Sequence, residues 1–278
     1  MMVSYLQCGG KILDLSSPVV MGVLNVTPDS FSDGGCFVDN NKAIARAMQM
    51  EEEGASIIDI GGESTRPGAV GVSVQEELDR VVPIVEALSS RSRCVLSVDT
   101  SSPEVIQAAA GAGAGIINDV RALQRDGALK AAKATELPVC LMHMQGQPET
   151  MQNEPAYQDV VSDVASFFCE RIGELQLAGI AKERIIVDPG FGFGKTLEHN
   201  LLLLRQLFRL KSFGLPILVG MSRKSMIGQV TGRSMDQRLS GSLTAAVIAV
   251  ERGASILRVH DVAETVDAVK MLQAVMRD

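Results

Sequence analysis

Ser56-Ile57-Ile58-Asp59-Ile60 is a short β-branched run; Gly61-Gly62-Glu63-Ser64-Thr65-Arg66-Pro67-Gly68 follows it, and Leu78, Val81, Val82, Val85 and Leu88 then recur at helical spacing. A strand that breaks at glycines, crosses a polar loop and returns along an amphipathic helix is one turn of a βαβ unit, the repeat of a parallel sheet. The same pattern extends in both directions. The runs Val19–Val26, Cys94–Val98, Gly115–Ile117, Val139–Met142, Arg184–Val187, Leu215–Val219 and Ser255–Val259 complete a set of eight strands. Several are continuously apolar, as strands covered on both faces are.

Helix starts are marked between them. Ser73 with Glu76 has capping-box spacing, Asp261 with Glu264 has a similar arrangement, and Ser102 precedes Pro103 as an N-cap precedes a proline at the first helical position. Eight β-then-α units in about 260 residues predict an α/β fold, a (β/α)₈ TIM barrel, rather than a doubly wound sheet, which would need a Gly-rich dinucleotide turn after its first strand. Gly9-Gly10 predicts a hairpin turn within residues 1–18, capping the N-terminal end of the barrel. The whole of 1–278 is therefore read as one domain, with the barrel over 19–278. The patch Gly111–Gly115 reads as a helix stop, not a phosphate loop.

Composition narrows the class of function. The 278 residues are 46% hydrophobic and 21% charged, with a net charge of −7, which excludes disorder and argues against a nucleic-acid partner. No apolar stretch reaches the roughly 18 residues a membrane span needs, and no basic, apolar leader opens the sequence, so a cytoplasmic protein is expected. Five cysteines without C-x-x-C spacing are expected to be reduced and structural.

In this fold, chemistry collects where strands end. Strand one ends at Asn25, with Phe31 beyond it; strand two runs into Thr65, Arg66 and Pro67; strands three and four deliver Asp99 and Asn118. Strand five ends at Met142 and His143, strand six at Asp188 with Phe193 and Lys195, strand seven at Ser222, Arg223 and Lys224, and strand eight at Arg258 and His260. Any one of these has an ordinary structural explanation. Eight polar strand ends at one rim are harder to explain without a ligand to satisfy them. Asp99, Asn118 and Asp188 supply acceptors suited to a flat heterocycle with an amidine-like donor edge, whereas Arg66, Arg258 and His260, with the hydroxyls of Ser64 and Thr65, suit phosphate oxygens. Asn25 alone makes a poor metal site, but Mg²⁺ commonly takes one or two protein ligands and completes its shell from water and substrate phosphates. The run Gly190-Phe-Gly-Phe-Gly-Lys195 lacks phosphate-loop spacing and reads as a stacking wall of two aromatic rings.

These strand ends resemble those of the bacterial dihydropteroate synthases over about residues 19–270. The segments that carry the resemblance are 25–35, 61–68, 97–100, 117–119, 141–146, 188–195, 220–225 and 258–261, and the first two are long enough to be highly specific. The resemblance implies an enzyme that condenses 6-hydroxymethyl-7,8-dihydropterin diphosphate with 4-aminobenzoate, releasing pyrophosphate. It implies that Asp99, Asn118, Asp188 and Lys224 hold the pterin, with Met142 and Phe193 near its ring. Asn25 would meet Mg²⁺ on the diphosphate, and Arg66, Arg258 and His260 would bind the diphosphate oxygens. Phe31, Thr65, Arg66, Pro67, Ser222 and Lys224 would shape the 4-aminobenzoate site, which sulfonamides would occupy. Of these, Asp99, Asp188, Lys224, Arg258 and His260 are the expected catalytic set, and a homodimer through outer helices is implied. Two alternatives stay open: a methyltetrahydrofolate-dependent methyltransferase domain, which has no use for the basic set Arg66, Lys224, Arg258 and His260, and a non-catalytic homologue, which would be expected to have lost the motif at Asn25 or those cations.

Overall fold

A computed structural model describes residues 3–26, 35–63, 71–146, 151 and 155–276, with side chains from 40 onward in the second segment. A two-stranded antiparallel hairpin, β1 (Tyr5–Cys8) and β2 (Lys11–Asp14), turns at Gly9-Gly10 as expected. Eight parallel strands follow: β3 (Val19–Asn25), β4 (Ile57–Gly61), β5 (Val95–Asp99), β6 (Ile116–Asp119), β7 (Val139–Met142), β8 (Ile185–Asp188), β9 (Leu218–Val219) and β10 (Ile256–Val259). Each of the eight expected runs overlaps one, and β4, β5, β6 and β8 run one or two residues further, to Gly61, Asp99, Asp119 and Asp188. Their order is β8-β7-β6-β5-β4-β3-β10-β9. The ring closes through a single bridge, Val187 to Ile217, with Val187 N–H donating to the Pro216 carbonyl at 3.0 Å. The fold is a near-closed α/β barrel of eight parallel strands.

The helices lie between the strands in sequence: α1 (Gly35–Glu52), α2 (Val74–Ser89), α3 (Pro103–Ala112), α4 (Ala128–Thr135), α5 (Val160–Leu177), α6 (Leu197–Arg205), α7 (Ser225–Thr231), α8 (Leu239–Glu251) and α9 (Val262–Met276). Ser73 and Glu76 form the expected capping box on α2. Ser102 is the N-cap residue of α3, but its hydroxyl makes no cap bond and donates instead to Glu77 Oε2 at 2.8 Å. α3 ends with Gly113 left-handed at its C-cap, as the Gly111–Gly115 patch predicts. Among the described residues no helix is long and apolar enough to cross a membrane.

Alternation along the strands sorts the barrel into layers. Outward residues such as Ile58, Ile60, Leu96, Val98, Ile117, Leu141, Val187 and Leu257 join the large cluster under the helices. Inward, every strand contributes one side chain to a second cluster: Met21, Ile57, Val95, Ile116, Cys140, Ile186, Leu218 and Ile256, sealed from below by Leu6, Cys8 and Leu13 of the hairpin. Each large aliphatic side chain so buried stabilises the fold by about 1.5–3 kcal/mol. Because side chains face the same way every second residue, the next inward layer is Val23, Asp59, Ser97, Asn118, Met142, Asp188, Gly220 and Arg258. Within four residues along the strands, the interior passes from aliphatic to charged.

Candidate functional site

The layer above the apolar plug is a connected polar network. Asp59 is fully buried; its Oδ1 accepts from Ser97 Oγ at 2.6 Å, and its Oδ2 accepts from Arg258 Nε at 2.6 Å and Asn118 Nδ2 at 3.1 Å. Arg258 Nη2 donates onward to Asp99 Oδ2 at 2.9 Å. Burial works to lower the Arg258 pKa, but the carboxylates of Asp59 and Asp99 outweigh it and hold the guanidinium above its ordinary range. Burial pushes Asp99 up, to about 7, with Arg258 opposing. Arg258 thus reaches the acids at the barrel floor, contacts that its grouping with Arg66 and His260 does not anticipate. Alternation explains the difference: Arg258 lies two residues beyond the buried, inward Ile256, so its side chain follows the same direction into the barrel.

Asp188 closes the other side. Its Oδ1 accepts from the Gly190 backbone N–H at 2.8 Å, and burial raises its pKa. Lys224 donates to the Phe191 carbonyl and sits with its ammonium 4.4 Å from the Phe193 ring centroid, a cation–π contact. Burial lowers Lys224 to about 8, with Asp188 pulling the other way. The expected wall of two rings is a wall of one: Phe191 is completely buried in the outer cluster, and Phe193 faces the lysine.

A second buried lysine ties the loops after β7 and β8 together. Lys195 Nζ donates to the carbonyls of Gly190 (2.9 Å), Phe193 (3.0 Å) and His143 (3.3 Å) and lies 3.0 Å from His143 Nδ1. Desolvation lowers Lys195 to about 7 and His143 to about 3, so the imidazole is neutral and can accept the ammonium hydrogen. The loops touch closely here. Gly190 and Gly194 have φ of +67° and +60°, and a Cβ on either would collide with the carbonyl oxygen of His143 or Gln145.

At the rim, Asn25 and His260 line a cleft of about 310 Å³ with Arg46 and Arg223. Ser222 Oγ accepts from the His260 backbone N–H at 3.2 Å and lies 3.1 Å from its Nδ1. Arg223, which has a φ of +59°, pairs with Asp261, and Arg46 with Glu53 at 2.7 Å. A second cleft, of about 420 Å³, opens beside Met142 and is lined by Val120, Phe167, Glu63, Arg121 and Arg125. Gly61 leaves a gap at the end of β4: the Asn25 Oδ1 and Asp99 Oδ2 oxygens both lie 3.9 Å from where its Cβ would be. Two hard oxygens beside a missing side chain suit Mg²⁺, which takes few protein ligands when phosphate oxygens supply the rest. Among the described residues no three of His, Cys, Asp and Glu cluster as a metal cage, so an ion here would depend on those substrate oxygens.

Of the residues singled out from sequence, Asp99, Asn118, Met142, Asp188, Phe193, Ser222, Lys224, Arg258, His260 and Asn25 all sit at this one end of the barrel. Phe31, Thr65, Arg66 and Pro67 lie outside the described residues. Sequence reasoning assigned no role to Asp59 or Lys195. The first had a signal: an acid inside an apolar β-branched run has to find partners.

A profile of the family described as pterin binding enzymes matches residues 21–260. The dihydropteroate synthase of Escherichia coli K12 is 58% identical over 267 residues, covering 96% of this chain and 95% of its own. That of Haemophilus influenzae is 55% identical, covering 97% and 98%. Among solved structures, the dihydropteroate synthase of Yersinia pestis in complex with a sulfonamide drug superposes with a TM-score of 0.93 at 57% identity, covering 98% of each chain. The dihydropteroate synthase of Xanthomonas albilineans with 4-aminobenzoic acid does so with 0.94 at 52% identity, covering 99% of each.

Proposed function

Because the chain belongs to the pterin-binding enzyme family and within it to the dihydropteroate synthases, we propose that its barrel mouth binds dihydropterin diphosphate on the floor network and 4-aminobenzoate above it. The activity is that of a dihydropteroate synthase, a transferase. The single observation that carries the site assignment is the polar layer of Asp59, Ser97, Asn118, Asp188 and Arg258 directly above an apolar plug, joined through Arg258 to Asp99 one layer higher. Asn118 and Asp188 offer acceptors to the amino-bearing edge of the pterin, Lys224 offers a donor, and Met142 and Phe193 flank the ring. Phe31, Thr65, Arg66, Pro67 and Ser222 are assigned to the 4-aminobenzoate side, with Lys224 shared. His260, Arg258 and Arg66 are assigned to the diphosphate.

The reaction breaks the bond between the exocyclic CH₂ and the diphosphate oxygen, and the electron pair leaves with pyrophosphate. The electron-rich dihydropterin stabilises the carbocation, the arylamine nitrogen donates its lone pair to the same carbon, and its proton departs to solvent. Catalysis is then charge stabilisation at both ends of the breaking bond. Buried Asp99 and Asp188 favour the cationic ring; His260 and the rim cations receive the leaving group. Mg²⁺, held on the diphosphate at Asn25, would offset the leaving group's charge when bound. No side-chain nucleophile is required.

The test is pyrophosphate release from dihydropterin diphosphate and 4-aminobenzoate with Mg²⁺. Asp99→Asn and Lys224→Ala are each expected to lower kcat/KM by about a hundredfold, and undiminished turnover in both would overturn the roles. Sulfonamides are expected to compete with 4-aminobenzoate; growth complementation that persists at high sulfonamide would contradict this. The assembly is proposed as a cytoplasmic homodimer with one domain per chain. Exposed Val230 on α7 and Met271, Val275 and Met276 on α9 support an interface among the outer helices, and light scattering of the purified chain tests it.

A further inference from the structure

Asp59 lies on β4 one layer below the rim, completely buried and flanked along the strand by Ile58 and Ile60. A buried carboxylate is costly unless every partner is in place, and filling the barrel does not call for one, because the layer beneath is aliphatic. What the carboxylate does is fix the orientation of two neighbours. A carboxylate only accepts hydrogen bonds, so Asn118 must turn Nδ2 towards Asp59 Oδ2, 3.1 Å away, and present its Oδ1 and remaining N–H elsewhere. The same oxygen holds Arg258 at Nε while Asp99 holds Nη2, which fixes the plane of the guanidinium and leaves its Nη1 edge for other partners. Ser97 Oγ anchors the second oxygen of Asp59 from β5.

We propose that Asp59 is a positioning residue of the synthase reaction: it selects which atoms of Asn118 face the pterin and which of Arg258 face the diphosphate, and so determines recognition of that one substrate without touching it. The proposal rests on the reading that Asn118 meets the pterin and Arg258 the diphosphate of the same substrate. Asp59→Asn keeps the size and removes the selection, since an amide at 59 can donate to Asn118 Oδ1 and sets an NH₂ group against Arg258.

Steady-state pyrophosphate release separates this role from a structural one. In Asp59→Asn the KM for dihydropterin diphosphate is expected to rise by about tenfold or more, one lost directional contact, while the KM for 4-aminobenzoate stays within about twofold and the melting temperature within about 5 °C. An unchanged KM for the diphosphate substrate, or equal losses for both substrates, overturns the proposal. Should Asp59→Asn fail to fold, Ser97→Ala removes only the Oδ1 anchor; a rise of about two- to fivefold in the same KM, about 0.4–1 kcal/mol, supports the proposal and no change overturns it. Asn118→Ala distinguishes the layers of the argument. If that variant loses pterin affinity and Asp59→Asn does not, Asp59 has no positioning role; if Asn118→Ala also binds normally, the pterin-site reading itself fails.

Discussion

Arg258 and Lys195 are both cations buried at the mouth of this barrel, and their surroundings keep them in opposite ways. Arg258 sits between two carboxylates, Asp59 and Asp99, and its charge is held at any pH the fold survives. Lys195 sits among three carbonyls and a neutral imidazole, which satisfy its hydrogens without supplying a countercharge; burial lowers it to about 7, and the charge of Asp188 opposes that only in part. Hydrogen bonding and charge neutralisation are therefore separate requirements for a buried cation. The floor meets both and keeps its guanidinium charged, although its Asp99, raised to about 7, still titrates; the β7–β8 loops meet the first and leave their lysine titratable near neutrality.

Removing Arg258 should break the contrast most severely. Arg258→Met leaves Asp59 and Asp99 buried without their cation, and unfolding in urea should show a loss of about 3–5 kcal/mol. Turnover should fall by about a thousandfold, measured as pyrophosphate release. Retained stability would mean that the two acids tolerate each other without the guanidinium.

Lys195 should show its difference through pH. Its pKa is about 7 in the folded chain against an ordinary 10.5, so between those values the unfolded chain binds the extra proton and stability rises with pH. Below 7 both forms are protonated and the burial penalty is complete. Urea titrations from pH 7 to 10 should show a gain whose Lys195 share approaches about 1.4 kcal/mol per pH unit at most, with Lys224, lowered to about 8, adding in the same direction. Lys195→Met should flatten that slope, and a slope unchanged in the variant would show that the ammonium is not what titrates.

The smallest effect probes the loop around Lys195. Tyr157 donates its hydroxyl hydrogen to the Gly194 carbonyl at 2.8 Å. Tyr157→Phe should cost about 1 kcal/mol in thermal or chemical unfolding and leave the KM for 4-aminobenzoate unchanged. A shift in that KM would place the loop closer to the second substrate than its contacts indicate.

The fold was legible because strand, loop and helix repeat eight times, and each of the eight expected runs overlaps a strand. The details that escaped are physical ones. Continuous apolar runs conceal alternation: Ile57, Ile58 and Ile60 look alike in sequence, although Ile57 faces the barrel interior and Ile58 and Ile60 face the helices. The same masking hid the inward aim of Asp59 and the contacts of Arg258 with Asp59 and Asp99. Phe191 and Phe193 are two residues apart in a loop, where no period applies, and only packing tells the core ring from the one beside Lys224. Lys195 was visible at a strand end, but nothing in the sequence pairs it with carbonyls 52 and 5 residues away.

The N-terminal hairpin has a consequence for molecular traffic. With Leu6, Cys8 and Leu13 stoppering the lower end of the barrel, the interior is a blind well with one aperture. Whatever rests deepest must be loaded before the aperture is filled and discharged after it clears, so the architecture imposes a last-in, first-out schedule on its cargo.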